Sequence, residues 1–214
     1  MKITKLPHAC LVLEQGDAAL IVDPGSYVDY ERDLAPFVGR AAGLVLTHVH
    51  ADHYFPAHVE RLLAARPGLP VVTTSDVAGA IPGATVWPGA GLGLDVGPFH
   101  LEFFGGRHHQ VGEAPPDENF GIVVDGLLAY PGDSYDVPPA PPAVLAVPTG
   151  GPWARTTDAG AYLAAVRPTG FGFGVHDVHL SELGQQMTAA FMGRATARTG
   201  AEYRYLPVGD SVEV

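Results

Sequence analysis

The chain has 214 residues, 47% of them hydrophobic and 16% charged, a balance that folds around a core and is not that of a disordered chain. Its formal charge of −11 argues against a nucleic-acid partner, which needs a basic surface to displace counterions, though cations bound in a cleft would still admit a phosphate-bearing substrate. One cysteine, Cys10, excludes an intrachain disulfide; no run approaches the roughly 18 apolar residues of a membrane span, and Ala9 to Leu13 is too short for a signal sequence, so a cytoplasmic protein without membrane contact is expected.

The 27 Gly and 20 Pro punctuate short apolar runs, the pattern of a fold with many turns. Cys10 to Glu14 and Ala18 to Val22 read as a hairpin across Gly16-Asp17, closed by Asp23-Pro24-Gly25. Leu44 to Leu46 is a short strand that runs into Thr47 and a histidine cluster. Pro56 then opens a helix in which Val59, Leu62 and Leu63 share a face, stopped by Pro67-Gly68. Val71 to Thr73, Ala84 to Trp87 and Leu92 to Val96 read as strands, and Phe99, Leu101 and Phe103 alternate as in a half-buried one. Phe120 to Val124 and Leu127 to Tyr130 flank Asp125-Gly126, a strong hairpin dipeptide.

Val144 to Val147 and Phe171 to Val175 are buried-strand candidates, the latter ending at His176. Thr157 to Val166 reads as a helix. Ser181 to Arg198 is the longest helical pattern, with Leu183, Met187, Ala190, Phe191 and Ala195 on one stripe. Glu202 to Leu206 and Ser211 to Val214 close the chain as strands. Without an internal repeat or a linker, one α/β domain over residues 1–214 is expected, layered from sheets and helices.

The chemistry is concentrated in His48-Val49-His50-Ala51-Asp52-His53. Three imidazoles and a carboxylate within six residues leave polar groups stranded unless something binds them. Imidazole with carboxylate suits Zn first, with Mn or Fe as alternatives. The chain between these ligands is too short to wrap them all around one ion, so two neighbouring divalent ions are expected. Further ligands are available at predicted strand ends: His108 or His109, Asp133 and His176. No phosphate-binding loop, dinucleotide fingerprint or serine elbow is present in the sequence.

The ordered series H-x-H-x-D-H, a later His, Gly132-Asp133-Ser134 and a final His176 resembles the metallo-β-lactamase superfamily, as does Ile21-Val22-Asp23-Pro24-Gly25. Gly105-Gly106-Arg107-His108, Pro152-Trp153 and Val175-His176-Asp177 are similar to phrases of its small bacterial metal-dependent hydrolases related to L-ascorbate-6-phosphate lactonase. The resemblance implies an αββα sandwich with the site at one edge. It also implies one ion on His48, His50 and His108, a second on Asp52, His53 and His176, and Asp133 bridging them.

Spacing does not choose between His108 and His109; the family phrasing favours His108 and leaves His109 to line the cleft or face solvent. Asp23 reads either as a partner of a ligand imidazole or as a turn residue before Pro24. His8 sits in a phrase like the Gly-His-Ala/Ser start of the lactonase branch, but Pro7 replaces the glycine and a place in the cleft is not favoured. His58 is expected at the surface, His100 as a hydrogen-bonded strand residue, His179 at a helix entry, Trp153 as a wall of the cleft, and Cys10 as inert packing.

These residues predict a hydrolase of a small ester, lactone or phosphoester, with water activated by the two ions and Asp52 as the catalytic group that orients it and carries its proton. The rivals are a phosphodiesterase acting on a nucleotide-like substrate, an iron-dependent dioxygenase, and a metal-binding scaffold without turnover.

Overall fold

The computed structural model describes residues 1–197 and 200–214. The first half of the chain gives β1 (Lys2–Lys5), β2 (Leu11–Gln15), β3 (Ala18–Val22), α1 (Ala35–Val38), β4 (Ala41–Leu46), α2 (Pro56–Ala65), β5 (Val71–Thr73), α3 (Ser75–Ala78), β6 (Thr85–Val86), β7 (Gly93–Val96) and β8 (Phe99–Arg107). The second half gives β9 (Glu118–Val124), β10 (Leu128–Tyr130), β11 (Val144–Pro148), α4 (Thr156–Val166), β12 (Phe171–Val175), α5 (Glu182–Thr196), β13 (Glu202–Arg204) and β14 (Ser211–Glu213). They form two seven-stranded sheets, ordered β14-β1-β2-β3-β4-β5-β6 and β13-β12-β11-β10-β9-β8-β7.

Alternation along the strands makes the layers. In β3, Leu20 and Val22 face the second sheet, where they join Phe99, Leu101, Phe103, Ile122 and Phe173 in a central core. The intervening Ala19 and Ile21 face outward and pack under Leu34, Val59 and Leu62. On the second sheet, Phe104, Val123, Leu145 and Val147 face outward beneath Tyr162, Leu163 and Met192. The result is the expected αββα sandwich, with helices on both outer faces. The Asp125-Gly126 turn takes positive φ at both residues, +54° and +68°, which matches the twist of the hairpin it closes.

Four elements lacked a readable sequence pattern. β1 holds buried Thr4 and Lys5, so its sequence is not apolar enough to read as a core strand. Tyr30–Leu34 forms a π-helical turn leading into α1, where Pro36 interrupts any helical period. α3 is only four residues long.

The stripe expected on the last helix is overturned. Leu183 and Met187 are 66% and 64% exposed, and the buried side chains of α5 are Met192 and Thr196. The helix lies on the outside of the second sheet and turns a narrow, partly polar face inward against α4. The expected end of this helix at Arg198 lies outside the described residues.

Strand direction places the site. β1 and β3 are both antiparallel to β2, and β4 is parallel to β3, so all three run one way. In the second sheet β8 and β10 are both antiparallel to β9, and β12 follows the direction of β10 through parallel β11. The segments leaving the C-terminal ends of these strands carry His8, Asp23, Thr47 to His53, His108, Asp133 and His176.

Candidate metal centre

Those six segments bring every candidate ligand to one edge of the sandwich. His48, His50 and His108 offer nitrogens within 4.8 Å of one another, and so do the ligand atoms of His48, His53 and Asp133. A third group of the same span joins Asp52, His53 and His176 with His8. Asp133 stands between them. Its Oδ1 is 3.1 Å from His53 Nε2, and its Oδ2 is 2.9 Å from His176 Nε2 and 3.2 Å from His108 Nε2.

The imidazoles are held from behind. His53 Nδ1 meets Asp23 Oδ2 at 2.8 Å, His108 Nδ1 meets its neighbour's carbonyl at 2.6 Å, and His176 Nδ1 meets the Gly150 carbonyl at 2.8 Å. Carbonyl and carboxylate oxygens only accept, so each of these Nδ1 atoms is the donor. His48 Nδ1 lies 3.1 Å from Thr47 Oγ1, whose own proton is committed to Asp23 Oδ2 at 2.6 Å, which assigns the same tautomer. Four histidines therefore turn Nε2, the atom a cation would take, towards the cluster.

Asp23 organises this arrangement. Buried and at φ +47°, it accepts from Thr47 N at 2.8 Å, Thr47 Oγ1, His53 Nδ1 and the Tyr130 hydroxyl at 2.7 Å. Of its two sequence readings, the imidazole partner is the one found. Gly25 beside it lets the ligand loop pass close by, since a side chain there would overlap the Asp52 carbonyl. Gly132, at φ +60°, likewise lets the turn before Asp133 close over Asn119.

The centre is under electrostatic load. Burial opposes the charge of Asp133, yet the His53 and His176 imidazoles hold its carboxyl well below the usual carboxylate range. Burial lowers His48 strongly, reinforced by His53. Burial also works against a charge on His176, but Asp133 and Asp52 outweigh it and push its pKa up to about 9. His48 Nε2, His53 Nε2, His176 Nε2 and Asp133 Oδ1 are all buried without a hydrogen bond, although they face one another at short range. Buried donor-set atoms left without hydrogen bonds at short range from one another are what cations would satisfy, so the residues present fit the expected ions.

His8 joins the cluster without being among the residues that line the cleft. It is buried in the cluster at φ +63°, with Nε2 3.0 Å from Asp52 Oδ2 and its carbonyl accepting from His176 N at 2.9 Å. Its Nδ1 accepts from the Val178 amide at 3.4 Å, which leaves the proton on Nε2 for Asp52. The Pro7-for-glycine change hid this, because His8 adopts the left-handed conformation itself.

His108 joins the cluster while His109 lines the cleft, its ring 5.1 Å from that of Trp153. Trp153 forms a wall and donates Nε1–H to Asp133 Oδ2 at 3.3 Å. His58 is not at the surface as expected; it lies on the buried face of α2 and is bonded to the Pro24 carbonyl at 3.0 Å. His100 pairs with Asp95 at the sheet edge, and His179 accepts from Gly151 N at 3.2 Å, bracing the Gly150-Gly151 loop. Cys10 is buried, and burial pushes its thiol up, so it is inert packing. The pairing of Asp117 with His50, 3.0 Å apart, and the Tyr130 bond to Asp23 had no sequence signal.

A family model described as a beta-lactamase superfamily domain matches residues 2–170. The chain belongs to the beta-lactamase superfamily. Protein Rv0786c of Mycobacterium tuberculosis is 27% identical over 220 residues, covering 99% of this chain and 99% of that protein. Among solved structures, the metallo-β-lactamase fold protein YhfI of Bacillus subtilis superposes with a TM-score of 0.73 at 17% identity, over 99% of this chain and 98% of that one. Igni18, a metallo hydrolase from the archaeon Ignicoccus hospitalis, gives a TM-score of 0.71 at 18% identity, over 99% and 97%. At such identities these structures share the fold with this superfamily member. Among the described residues, no helix is long and apolar enough to cross a membrane.

Proposed function

We propose that this chain is a metal-dependent hydrolase that cleaves a small ester or lactone with two divalent ions, zinc in the first instance. The observation that carries this reading is the set of four buried, hydrogen-bond-free atoms on His48, His53, His176 and Asp133. His48, His50 and His108 would hold one ion, Asp52, His53 and His176 the other, and Asp133 would reach both. Bound there, the ions supply Lewis acidity, lowering the pKa of water towards neutrality and polarising the scissile oxygen.

The protein supplies orientation and a route for the proton. Asp52 is 27% exposed against 2% for Asp133, so Asp52 is the more accessible of these two carboxylates. The His8 Nε2–H fixes one Asp52 oxygen, which leaves the other to orient water and take up its proton. Trp153 closes one side of the cleft.

The test is metal quantification with turnover on a panel of esters, lactones and phosphodiesters, comparing the native chain with Asp133→Asn. Metal occupancy and turnover should fall together in the variant. Retention of both would remove Asp133 from its bridging role. Two bound equivalents in the native chain without turnover of any panel member would replace the hydrolase with a metal-binding scaffold.

A further inference from the structure

We propose that the cleft selects neutral substrates with an apolar flank, and discriminates against those carrying a phosphate or carboxylate away from the scissile bond. This rests on the hydrolase reading of the same site and specifies its substrate class.

The cleft beside the cluster measures about 370 Å³, room for a small molecule. Away from the candidate ligands its walls include Trp153, His109, Val111, Pro115 and Pro116. The Trp153 indole N–H is spent on Asp133, so the ring offers its apolar surface, with the His109 ring tilted 31° to it at 5.1 Å. A flat or branched acyl or aryl group fits against such a wall.

Among the described residues, no lysine or arginine lines this cleft, whereas Asp117 does, beside Asp52 and Asp133. The cations adjoining the site residues in sequence or contact do not line it. Arg107, next to His108, bonds the Pro116 carbonyl at 3.4 Å and lines a separate cavity with Glu118. Arg155, two residues beyond Trp153, pairs with Asp158 at 2.7 Å. Lys5 is buried against Asp177, the neighbour of His176, also at 2.7 Å. Cations bound at the cluster would meet the scissile group, so a second anionic group further along the substrate would lie near Asp117 with no lysine or arginine in the lining to meet it. An ester or lactone with an uncharged remainder meets no such cost. In the reaction, water adds across the acyl C–O bond to give the acid and the alcohol, or the hydroxy acid from a lactone.

The experiment compares kcat/KM of the metal-loaded protein for matched pairs: a neutral aryl or alkyl ester and lactone, and each with a phosphate monoester at the far end. Isothermal titration with amide analogues of the same pairs reads binding separately from turnover. The neutral members should be preferred by about tenfold or more in both measurements. Val111→Lys, which adds a cation to an exposed wall position outside the cluster, should narrow that preference. Equal or better turnover of the phosphorylated members overturns the proposal and leaves the hydrolase reading intact. Binding of neutral amides without turnover of any ester keeps the proposal and removes the hydrolase reading. Binding of neither analogue overturns the proposal.

Discussion

Asp23 takes four hydrogen bonds on one carboxylate, and three of them, one from His53 Nδ1 and two from Thr47, set how the loop of candidate ligands leaves β4. An amide in its place presents one oxygen and one NH2, and the NH2 cannot accept from either partner. Asp23→Asn should therefore loosen the His53 tautomer and cost about 10- to 100-fold in metal affinity. Competition against a chromophoric chelator measures this; an unchanged affinity would mean that His53 is oriented by the Tyr130 hydroxyl, 3.4 Å from its Nδ1. The sequence placed Asp23 near the loop but could not choose between partner and turn. The choice depends on Thr47 and Tyr130, and Tyr130 is 107 residues away along the chain.

At the scale of elements, the strands bring the candidate ligands to one edge on the segments that leave their C-terminal ends, and contacts between those segments hold them in place. Lys5, the last residue of β1, is 1% exposed and pairs at 2.7 Å with Asp177, the residue after His176. This ion pair ties an end of the first sheet to the ligand turn of the second. Asp177 has a further oxygen, Oδ1, buried without a hydrogen bond, so its charge depends on Lys5. Removing the cation alone, as in Lys5→Met, should destabilise the fold by about 3–5 kcal/mol, while Lys5→Met with Asp177→Leu should recover most of that loss. Urea melts of the three proteins decide it, and equal loss in single and double variants would point to packing and not to the stranded charge. Nothing in Met1-Lys2-Ile3-Thr4-Lys5 announces this pairing, because a lysine at a strand end ordinarily points to water. The outer helix α5 shows the converse error, an apolar stripe that the fold leaves exposed at Leu183 and Met187.

Across the whole molecule, bound ions would contribute to stability because the cluster is assembled only when both sheets are in place. At a free concentration about a thousand times Kd, one ion adds about 4 kcal/mol, and chelation should lower Tm by on the order of 10 °C in a chain of this size. The effect has a pH sign. His176, with its pKa raised to about 9 by Asp133 and Asp52 against the opposing effect of burial, stabilises the metal-free fold while protonated. That contribution is complete below its unfolded value of about 6.5 and is lost as the pH rises through about 9. Protons also compete with the ions for Nε2, so competition fades over the same range. The gap in Tm between metal-loaded and chelated protein should widen from about pH 6 to about pH 9. Differential scanning fluorimetry with and without chelator reads it directly, and a constant or shrinking gap would separate His176 from the metal equilibrium.

The sequence by itself determined where the candidate donors concentrate, because three imidazoles and a carboxylate stand within the six residues from His48 to His53, a crowding that a cation would relieve. It also determined most strands, through alternation and the Asp125-Gly126 turn, and with them the layered class. The tertiary structure decided which residues complete the cluster. His8 enters through its left-handed backbone and the Val178 amide, His108 is chosen over His109, and Asp117 reaches His50 across 67 residues. Such choices rest on distances between strand ends that are remote in the chain. A local sequence pattern carries the residue type at each end, while packing of the two sheets sets which ends meet.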